Sequence, residues 1–175
     1  MQDILIVVDM QNDFVDGALG SKDAQAIVDK VTAKIEGFSG PVLFTRDTHG
    51  ADYLQTQEGR NLPVPHCVEN TPGWQLCPAV AALCHTEPVN KVTFGSRQLA
   101  ERLCEMNAAD PLRSVTLIGL CTDICVISNA MVIKAFLPEV EIIVDAACCA
   151  GVTPESHHTA LNAMRACQIK IENDK

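Results

Sequence analysis

The chain has 175 residues, which is enough for one domain with a sizeable core, and we expect a single domain over residues 1–175. Its 22 acidic residues outnumber the 13 basic ones and give a formal net charge of -9, so nucleic-acid binding is not expected. No apolar stretch is long enough to span a membrane, and nine cysteines without a secretory context predict reduced thiols in a cytoplasmic protein.

Short apolar runs alternate with segments of helical periodicity along the whole chain. The apolar runs predict strands at residues 4–8, 42–45, 89–92, 115–118, 140–144 and 168–171. Helical spacing predicts helices at 23–35, 78–84, 97–106, 123–136 and 154–166, with Asp23, Ser96 and Thr153 as caps. Strands that alternate with helices form a parallel sheet covered on both faces. We therefore expect an α/β fold of three α/β/α layers, with a mostly parallel, doubly wound, Rossmann-like sheet of about six strands.

Polar side chains that can carry chemistry follow several of the predicted strands. Asp9 follows the first strand, Asp47 and His49 follow the second, and Lys91 lies near the end of the third. Cys125 follows the fourth. In such sheets the ligand crevice lies beyond the carboxyl ends of the strands. Four separate segments are therefore predicted to bring reactive groups to one edge of the sheet.

Cys125 lies where the chain leaves a predicted buried strand and begins a helix, in the segment 119–126 (GLCTDICV). The free amides and the dipole of a helix end favour a thiolate, so Cys125 is a candidate nucleophile. A thiol nucleophile also needs a proton acceptor and a cation, and Asp9 and Lys91 are of these types. Taken singly, Cys125 can be a small core residue, Asp9 a loop cap and Lys91 a solvated lysine. Their predicted convergence favours the catalytic interpretation.

A second group of polar residues has the chemistry of metal ligands. In the segment Asp47-Thr48-His49, the two outer side chains lie on one side of an extended chain. His66, in the following loop, is a candidate third ligand. Imidazole and carboxylate ligands with open positions suit a catalytic zinc ion or another first-row divalent ion. The Asp-x-His pattern is also common without a metal, so the spacing alone leaves both interpretations open.

Five segments lie in order over most of the chain: VDMQNDF at 8–14, RDTH at 46–49, PHCV with TPG at 65–73, NK with Phe94 at 90–94, and GLCTDICV at 119–126. In these segments the chain resembles the isochorismatase-like cysteine hydrolases, and in particular their nicotinamidase-like branch. The resemblance implies a catalytic triad of Asp9, Lys91 and Cys125. It also implies a cis peptide bond between Leu120 and Cys121, with the amides of Cys121 and Cys125 forming an oxyanion hole.

The resemblance further implies hydrolysis of a small carboxamide to the acid and ammonia through a cysteine thioester, as in NAD salvage. A divalent metal would orient the substrate, with zinc as the first choice and manganese or iron as alternatives. The implied metal ligands are Asp47, His49 and His66, with Glu58 as a candidate fourth.

The substrate pocket departs from the pattern of the nicotinamidase-like branch. Phe14 matches one aromatic wall of the pocket, and Leu120 is expected beside it. The second wall, a tryptophan shortly before the last metal histidine, is missing, because residues 62–65 (LPVP) occupy that stretch. The substrate therefore stays open between nicotinamide and another small amide or ureido compound.

Two further expectations follow from the resemblance. Members of the family often form dimers or larger assemblies, so we expect a homo-oligomer whose other partner is a small-molecule amide. An alternative of a different class is a non-catalytic metal-binding scaffold, which would bind the ion without turnover.

Overall fold

A computed structural model describes residues 1–174, and its centre is one sheet of six strands. The strands are β1 (Gln2–Val8), β2 (Val42–Asp47), β3 (Val89–Lys91), β4 (Leu112–Leu120), β5 (Glu141–Ala150) and β6 (Lys170–Glu172). Their order across the sheet is β3-β2-β1-β4-β5-β6, and all neighbouring strands are parallel. The predicted α/β fold with a doubly wound sheet is confirmed.

Helices connect the strands and cover both faces of the sheet. The α-helices of residues 1–174 are α1 (Asn12–Val15), α2 (Lys22–Ala26), α3 (Val28–Glu36), α4 (Gln57–Asn61), α5 (Pro78–Ala81), α6 (Arg97–Ala109), α7 (Ile127–Phe136) and α8 (Pro154–Ala166). Ser96 and Thr153 cap α6 and α8 as predicted. The predicted helix at 23–35 is instead two helices, and Ser21, not Asp23, caps the first by accepting the Ala24 amide at 3.0 Å.

The two central strands are longer than their apolar runs predicted. β4 replaces the prediction at 115–118, and β5 replaces the prediction at 140–144. Small residues such as Gly119 and the adjacent Cys148 and Cys149 continue the buried ladder where no bulky apolar residue signals it. The sequence pattern therefore located these strands but neither their carboxyl ends nor the start of β4.

The reversal of strand order lies at the middle of the sheet. Side chains of β1 alternate between the two apolar cores, with Ile4 and Ile6 on one face and Leu5 and Val7 on the other. β2 and β3 extend the sheet on one side of β1, while β4 follows on the other side. In open parallel sheets a ligand crevice forms at such a switch point.

Gly119 allows β1 and β4 to approach each other at this point. It has a φ of +114°, which side chains rarely tolerate, and a Cβ at this position would lie 2.1 Å from the Val8 carbonyl oxygen. The residues that follow the two strands are therefore held close together.

Two expectations from composition can be compared with the structure. All nine cysteines are free thiols, as predicted. Within the described residues, every helix falls short of the length and apolar character that crossing a membrane requires.

Candidate active site

Asp9 is the first residue after β1, at the reversal of strand order. It has no exposed surface, and its backbone adopts a left-handed φ of 46°. Its Oδ1 accepts a hydrogen bond from Thr45 Oγ1 at 2.6 Å, and the same hydroxyl oxygen accepts one from the Asp9 amide at 3.3 Å. Thr45, on β2, therefore fixes the direction of the carboxylate.

Lys91, the last residue of β3, contacts the other charged groups at this edge. Its Nζ lies 2.6 Å from Asp9 Oδ2 and 3.2 Å from Asp47 Oδ1. It also donates to the Thr93 carbonyl at 3.2 Å and to Cys125 Sγ at 3.4 Å. Burial alone would lower the pKa of Lys91, but the neighbouring carboxylates and sulfur raise it well above its usual range. The amine therefore stays charged.

The contact between Lys91 and Asp9 is an ion pair that lacks the angles of a hydrogen bond. Among residues 1–174, Asp9 Oδ2 is the one buried side-chain nitrogen or oxygen without a hydrogen-bond partner. Burial raises the pKa of the Asp9 carboxyl, while the Lys91 cation acts in the opposite direction. Oδ2 is thus held in an ion pair while burial increases its proton affinity, as a general base requires.

The sequence predicted that Cys125 lies in the first turn of a regular α-helix, but the structure places it elsewhere. Residues Thr122–Val126 form a π-helical turn, a feature frequent at functional sites, and α7 begins only after it. Cys125 is 3% exposed. Burial and the Asp9 charge raise the pKa of its thiol well above the usual range, and Lys91 opposes them. The helix end alone therefore does not set the ionisation of this thiol, because burial and two charged neighbours act on it as well.

Cys121 precedes this turn. The peptide bond between Leu120 and Cys121 is cis, as the resemblance implied. The Cys121 carbonyl accepts the amides of Ile124 at 3.1 Å and Val126 at 3.0 Å. The Cys121 amide itself donates to no protein acceptor in the described chain. It is therefore free to bind a ligand.

The four candidate metal ligands lie together on the other side of Lys91. Asp47 ends β2 and His49 follows it, while Glu58 lies in α4 and His66 in the loop after α4. One ligand atom from each residue lies within 4.8 Å of all the others. Asp47 Oδ2 is 2.9 Å from His49 Nε2 and 3.6 Å from His66 Nε2. Glu58 Oε1 is 3.5 Å and 3.8 Å from the same two nitrogens.

This donor set fits a small divalent ion. Four atoms bound tetrahedrally at 2.0–2.1 Å would be about 3.3 Å apart, which lies within the range of 2.9 to 3.8 Å spanned by these four nitrogen–oxygen distances. His66 Nδ1 donates to the Val64 carbonyl at 2.8 Å, which leaves the Nε2 lone pair for an ion. Burial would raise the pKa of Asp47, but contacts with the imidazoles of His49 and His66 and the Lys91 charge hold it below its usual range. Asp47 is therefore an ionised carboxylate, as a candidate metal ligand requires.

Gln11 supports Asp47 and was not predicted. Its side chain has no exposed surface. Its Oε1 accepts the Asp47 amide at 2.7 Å, and its Nε2 donates to the carbonyls of Asp47 at 2.8 Å and Trp74 at 2.9 Å. The signal available in the sequence was its place within the segment at 8–14, two residues after Asp9.

Asp13 and Gly73 support the loop that carries His66. Asp13 Oδ2 accepts the amide of Cys67 at 2.7 Å, and Cys67 has a left-handed φ of 46°. A Cβ at Gly73 would lie 2.1 Å from the same Asp13 oxygen. The glycine of the TPG segment is therefore needed because the chain packs directly against this carboxylate.

The predicted pocket residues have different environments. The Phe14 ring centroid lies 5.5 Å from that of His66, beside the metal ligands. Leu120 has no exposed surface and belongs to the apolar core. Trp74 is also buried, with the Arg46 guanidinium 3.8 Å above its ring.

A cavity of about 540 Å³ lies outside this group, between α2, β5 and α8. Its lining includes Cys149, His157 and His158 but none of the predicted site residues. His157 Nδ1 is 2.7 Å from Thr122 Oγ1, which connects α8 to the π-helical turn.

Known proteins share this fold and sequence pattern over nearly the whole chain. The Isochorismatase domain family matches residues 3–173. The chain belongs to the isochorismatase family. Among solved structures, the pyrazinamidase of Pyrococcus horikoshii in complex with zinc is 29% identical, with a TM-score of 0.79 and 98% of both chains covered. The nicotinamidase/pyrazinamidase of Bacillus subtilis is 27% identical, with a TM-score of 0.81, and 99% of this chain and 100% of that one are covered.

A more distant solved structure shares the fold alone. The N-carbamoylsarcosine amidase of Thermoplasma acidophilum is 24% identical, with a TM-score of 0.78, and 100% of this chain and 98% of that one are covered. No curated protein matches the chain. The family that the five sequence segments indicated is nevertheless confirmed, because the domain match spans nearly all residues.

Proposed function

We propose that this isochorismatase-family chain is a metal-assisted, nicotinamidase-like cysteine amidohydrolase that converts a small carboxamide to its acid and ammonia. The observation that carries the proposal is the Lys91 ammonium, 2.6 Å from Asp9 Oδ2 and 3.4 Å from Cys125 Sγ. A buried base, a cation and a thiol in contact are the groups that thiol-based acyl transfer requires. Sequence identities of 29% and 27% to a pyrazinamidase and a nicotinamidase/pyrazinamidase support an amide substrate.

The first half of the reaction forms a thioester. Asp9 Oδ2 accepts the Cys125 proton as the sulfur bonds to the amide carbonyl carbon. The amides of Cys121 and Cys125 hold the negative charge that develops on the carbonyl oxygen, and one such donor contributes about 3 kcal/mol. When the C–N bond breaks, Asp9 returns the proton to the nitrogen, which leaves as ammonia. Lys91 stays charged and stabilises the thiolate and the carboxylate in turn.

The second half releases the acid. A water molecule attacks the thioester carbonyl, and Asp9 takes a proton from it. The C–S bond then breaks, and Asp9 gives that proton to the Cys125 sulfur. The enzyme returns to the thiol and carboxylate with which it began.

Asp47, His49, His66 and Glu58 would hold a divalent ion, and zinc suits this set of imidazoles and carboxylates best, with manganese or iron as alternatives. Such an ion supplies a contact that orients the substrate. Lys91 bridges the two groups because its ammonium contacts both Asp9 and Asp47. The proton transfers of the reaction take place at Asp9 and Cys125, not at the metal ligands.

An aromatic carboxamide such as nicotinamide is the first substrate to test. Phe14 supports this choice because its ring lies beside His66. The apolar, non-aromatic stretch at 62–65 supports a second candidate, another small amide or a ureido compound that needs no second aromatic wall. We further propose a homo-oligomer in the cytoplasm, with a small amide and neither nucleic acid nor membrane as partner, and a role in NAD salvage if nicotinamide is the substrate.

Ammonia release tests the proposal. Nicotinamide, pyrazinamide and aliphatic amides are compared with and without a chelator, using the wild type, Cys125→Ala and, as matched control, Cys167→Ala at an exposed thiol. We expect Cys125→Ala to lose at least about 1,000-fold in turnover while Cys167→Ala keeps it. We also expect chelation to stop turnover and zinc or manganese to restore it.

Other outcomes of this assay would contradict parts of the proposal. Undiminished turnover by Cys125→Ala would exclude the thioester. Turnover of acyclic amides unaffected by the chelator would favour a different, metal-independent amidase. A bound metal without turnover of any amide, and without selective alkylation of Cys125, would favour the non-catalytic scaffold.

A further inference from the structure

Asn129, near the start of α7, is fully buried and joins two segments of the site. Its Nδ2 donates to the carbonyls of Cys125 at 2.8 Å and Phe94 at 3.0 Å. Its Oδ1 accepts the amide of Ser96 at 2.9 Å. Both hydrogens and the oxygen of one amide group are thus used to tie the π-helical turn to the loop after β3.

The loop that Asn129 holds also anchors the lysine. Its Thr93 carbonyl accepts a hydrogen bond from Lys91 Nζ at 3.2 Å. At Gly95 the loop lies so close to α7 that a Cβ would be 3.1 Å from Val132 Cγ2 and 3.3 Å from the Ser128 carbonyl oxygen. A shift of this loop away from α7 would therefore move the Thr93 carbonyl and with it the lysine.

We propose that Asn129 is a positioning residue that sets the separation between Lys91 Nζ and Cys125 Sγ. The two groups belong to different segments, the end of β3 and the π-helical turn, and Asn129 bonds to both sides of their contact. It acts through the backbone of each segment and does not touch the reacting atoms. The inference rests on the proposed function in taking Lys91 and Cys125 as the working pair.

Asparagine meets this requirement because it combines two donors with an acceptor. An aspartate would set a carboxylate oxygen against the carbonyls of Cys125 and Phe94, with no hydrogen to donate. A serine could donate to the Cys125 carbonyl four residues earlier in the helix but is too short to bridge to the loop. Asn129→Ser should therefore keep the nucleophile's turn tied while releasing the loop of Lys91.

The test measures the effect of the lysine cation on the sulfur without any turnover assay. The protein is alkylated with iodoacetate or iodoacetamide, which are similar in size but anionic and neutral respectively, and mass spectrometry follows the peptide that contains Cys125. The rate with iodoacetate divided by the rate with iodoacetamide reports the positive potential at the sulfur. A change in how easily reagents reach the sulfur affects both rates alike and does not change this ratio. Lys91→Met gives the ratio without the cation. Asn107→Ala is the matched control, because it removes an asparagine bond to the Leu112 amide, 2.8 Å long, at the opposite end of the sheet.

We expect Asn129→Ser to lower the ratio by at least about threefold towards the Lys91→Met value, and Asn107→Ala to keep the wild-type ratio. A wild-type ratio in folded Asn129→Ser would overturn the inference. A wild-type ratio in Lys91→Met would do so too, because the cation would then not act on the sulfur.

A second variant covers the case in which Asn129→Ser does not fold. Gly95→Ala presses the loop away from α7 without removing a polar group, so it should lower the ratio in the same direction, and an unchanged ratio would overturn the inference. Failure to hydrolyse any amide would contradict the proposed function alone, since none of these ratios depends on turnover.

Discussion

The two polar groups at the carboxyl edge of the sheet are built in different ways. Asp9, Lys91 and Cys125 follow directly from strands or the turn after a strand, and none is more than 3% exposed. The second group, called the metal group below, consists of the candidate ligands Asp47, His49, Glu58 and His66. Asp47 also ends a strand, but Glu58 lies on a five-residue helix and its side chain is 17% exposed. In the first group the Lys91 ammonium already balances the Asp9 carboxylate. In the second group the ligand atoms are spaced to hold a metal ion. The first should therefore contribute to folding stability, and the second should depend on a bound metal.

Replacing Lys91 with methionine tests the first half of this comparison and has the largest expected effect. The ammonium lies 2.6 Å from Asp9 and 3.2 Å from Asp47, and its loss leaves both buried carboxylates without a cation. We expect Lys91→Met to lower the free energy of unfolding by about 3–5 kcal/mol. Urea denaturation measures this, with Lys170→Met, at a half-exposed lysine paired with Glu172, as the control. A variant as stable as the wild type would remove the distinction between the two groups.

Replacing a metal ligand tests the second half. We expect His66→Ala to weaken zinc binding by at least about 100-fold and Glu58→Gln by about tenfold, because Glu58 is the more exposed ligand. The metal-free His66→Ala protein should stay folded. Competition with a chelating dye measures affinity, and His158→Ala is the control because that imidazole is 58% exposed and lies outside the group. Unchanged zinc affinity in His66→Ala would show that the four residues do not form a metal site.

The sequence was a good guide wherever a residue follows a strand. Asp9, Asp47 and Lys91 were predicted at one edge because parallel strands direct their carboxyl ends to the same side. The environment of the Cys125 thiol is less visible in the sequence. A helix end is visible in the local sequence, but the burial that raises the pKa of this thiol arises from elements distant in the chain.

The residues that sequence analysis missed act through distant partners. Gln11 bonds to Asp47, 36 residues away, and Asn129 bonds to Phe94, 35 residues away. Neither residue stands out by type or spacing, because a buried amide can be recognised only once its partners are known. The π-helical turn was missed for a related reason: the apolar periodicity at 123–136 continues into α7 and does not mark where the helix geometry changes.

A smaller effect is expected from the support of the metal group. In Gly73→Ala the added Cβ would lie 2.1 Å from Asp13 Oδ2, so Asp13 must move and release the Cys67 amide next to His66. We expect zinc affinity to fall by about tenfold, less than in His66→Ala, because the ligands themselves remain. Gly37→Ala is the control, since its Cβ would meet the Ala33 carbonyl oxygen at 3.3 Å, a contact that a shift of a few tenths of an ångström relieves outside the metal ligands. Equal affinities in the two glycine variants would mean that Asp13 does not position His66.

The smallest effect is expected at an ion pair outside both groups, which isolates the contribution of burial. Asp3 accepts hydrogen bonds from Arg113 Nε at 2.8 Å and Ser114 Oγ at 2.7 Å, which lower its pKa from 3.8 to about 2. Because the folded value is the lower one, the contact stabilises the protein above about pH 4, and this stabilisation is lost as the pH falls through 2. The Arg113 side chain is 67% exposed, so we expect Asp3→Asn to cost less than about 1 kcal/mol at pH 7 and almost nothing near about pH 1 in urea denaturation. A loss as large as that of Lys91→Met would mean that burial does not distinguish the ion pairs of Lys91 from those at the surface.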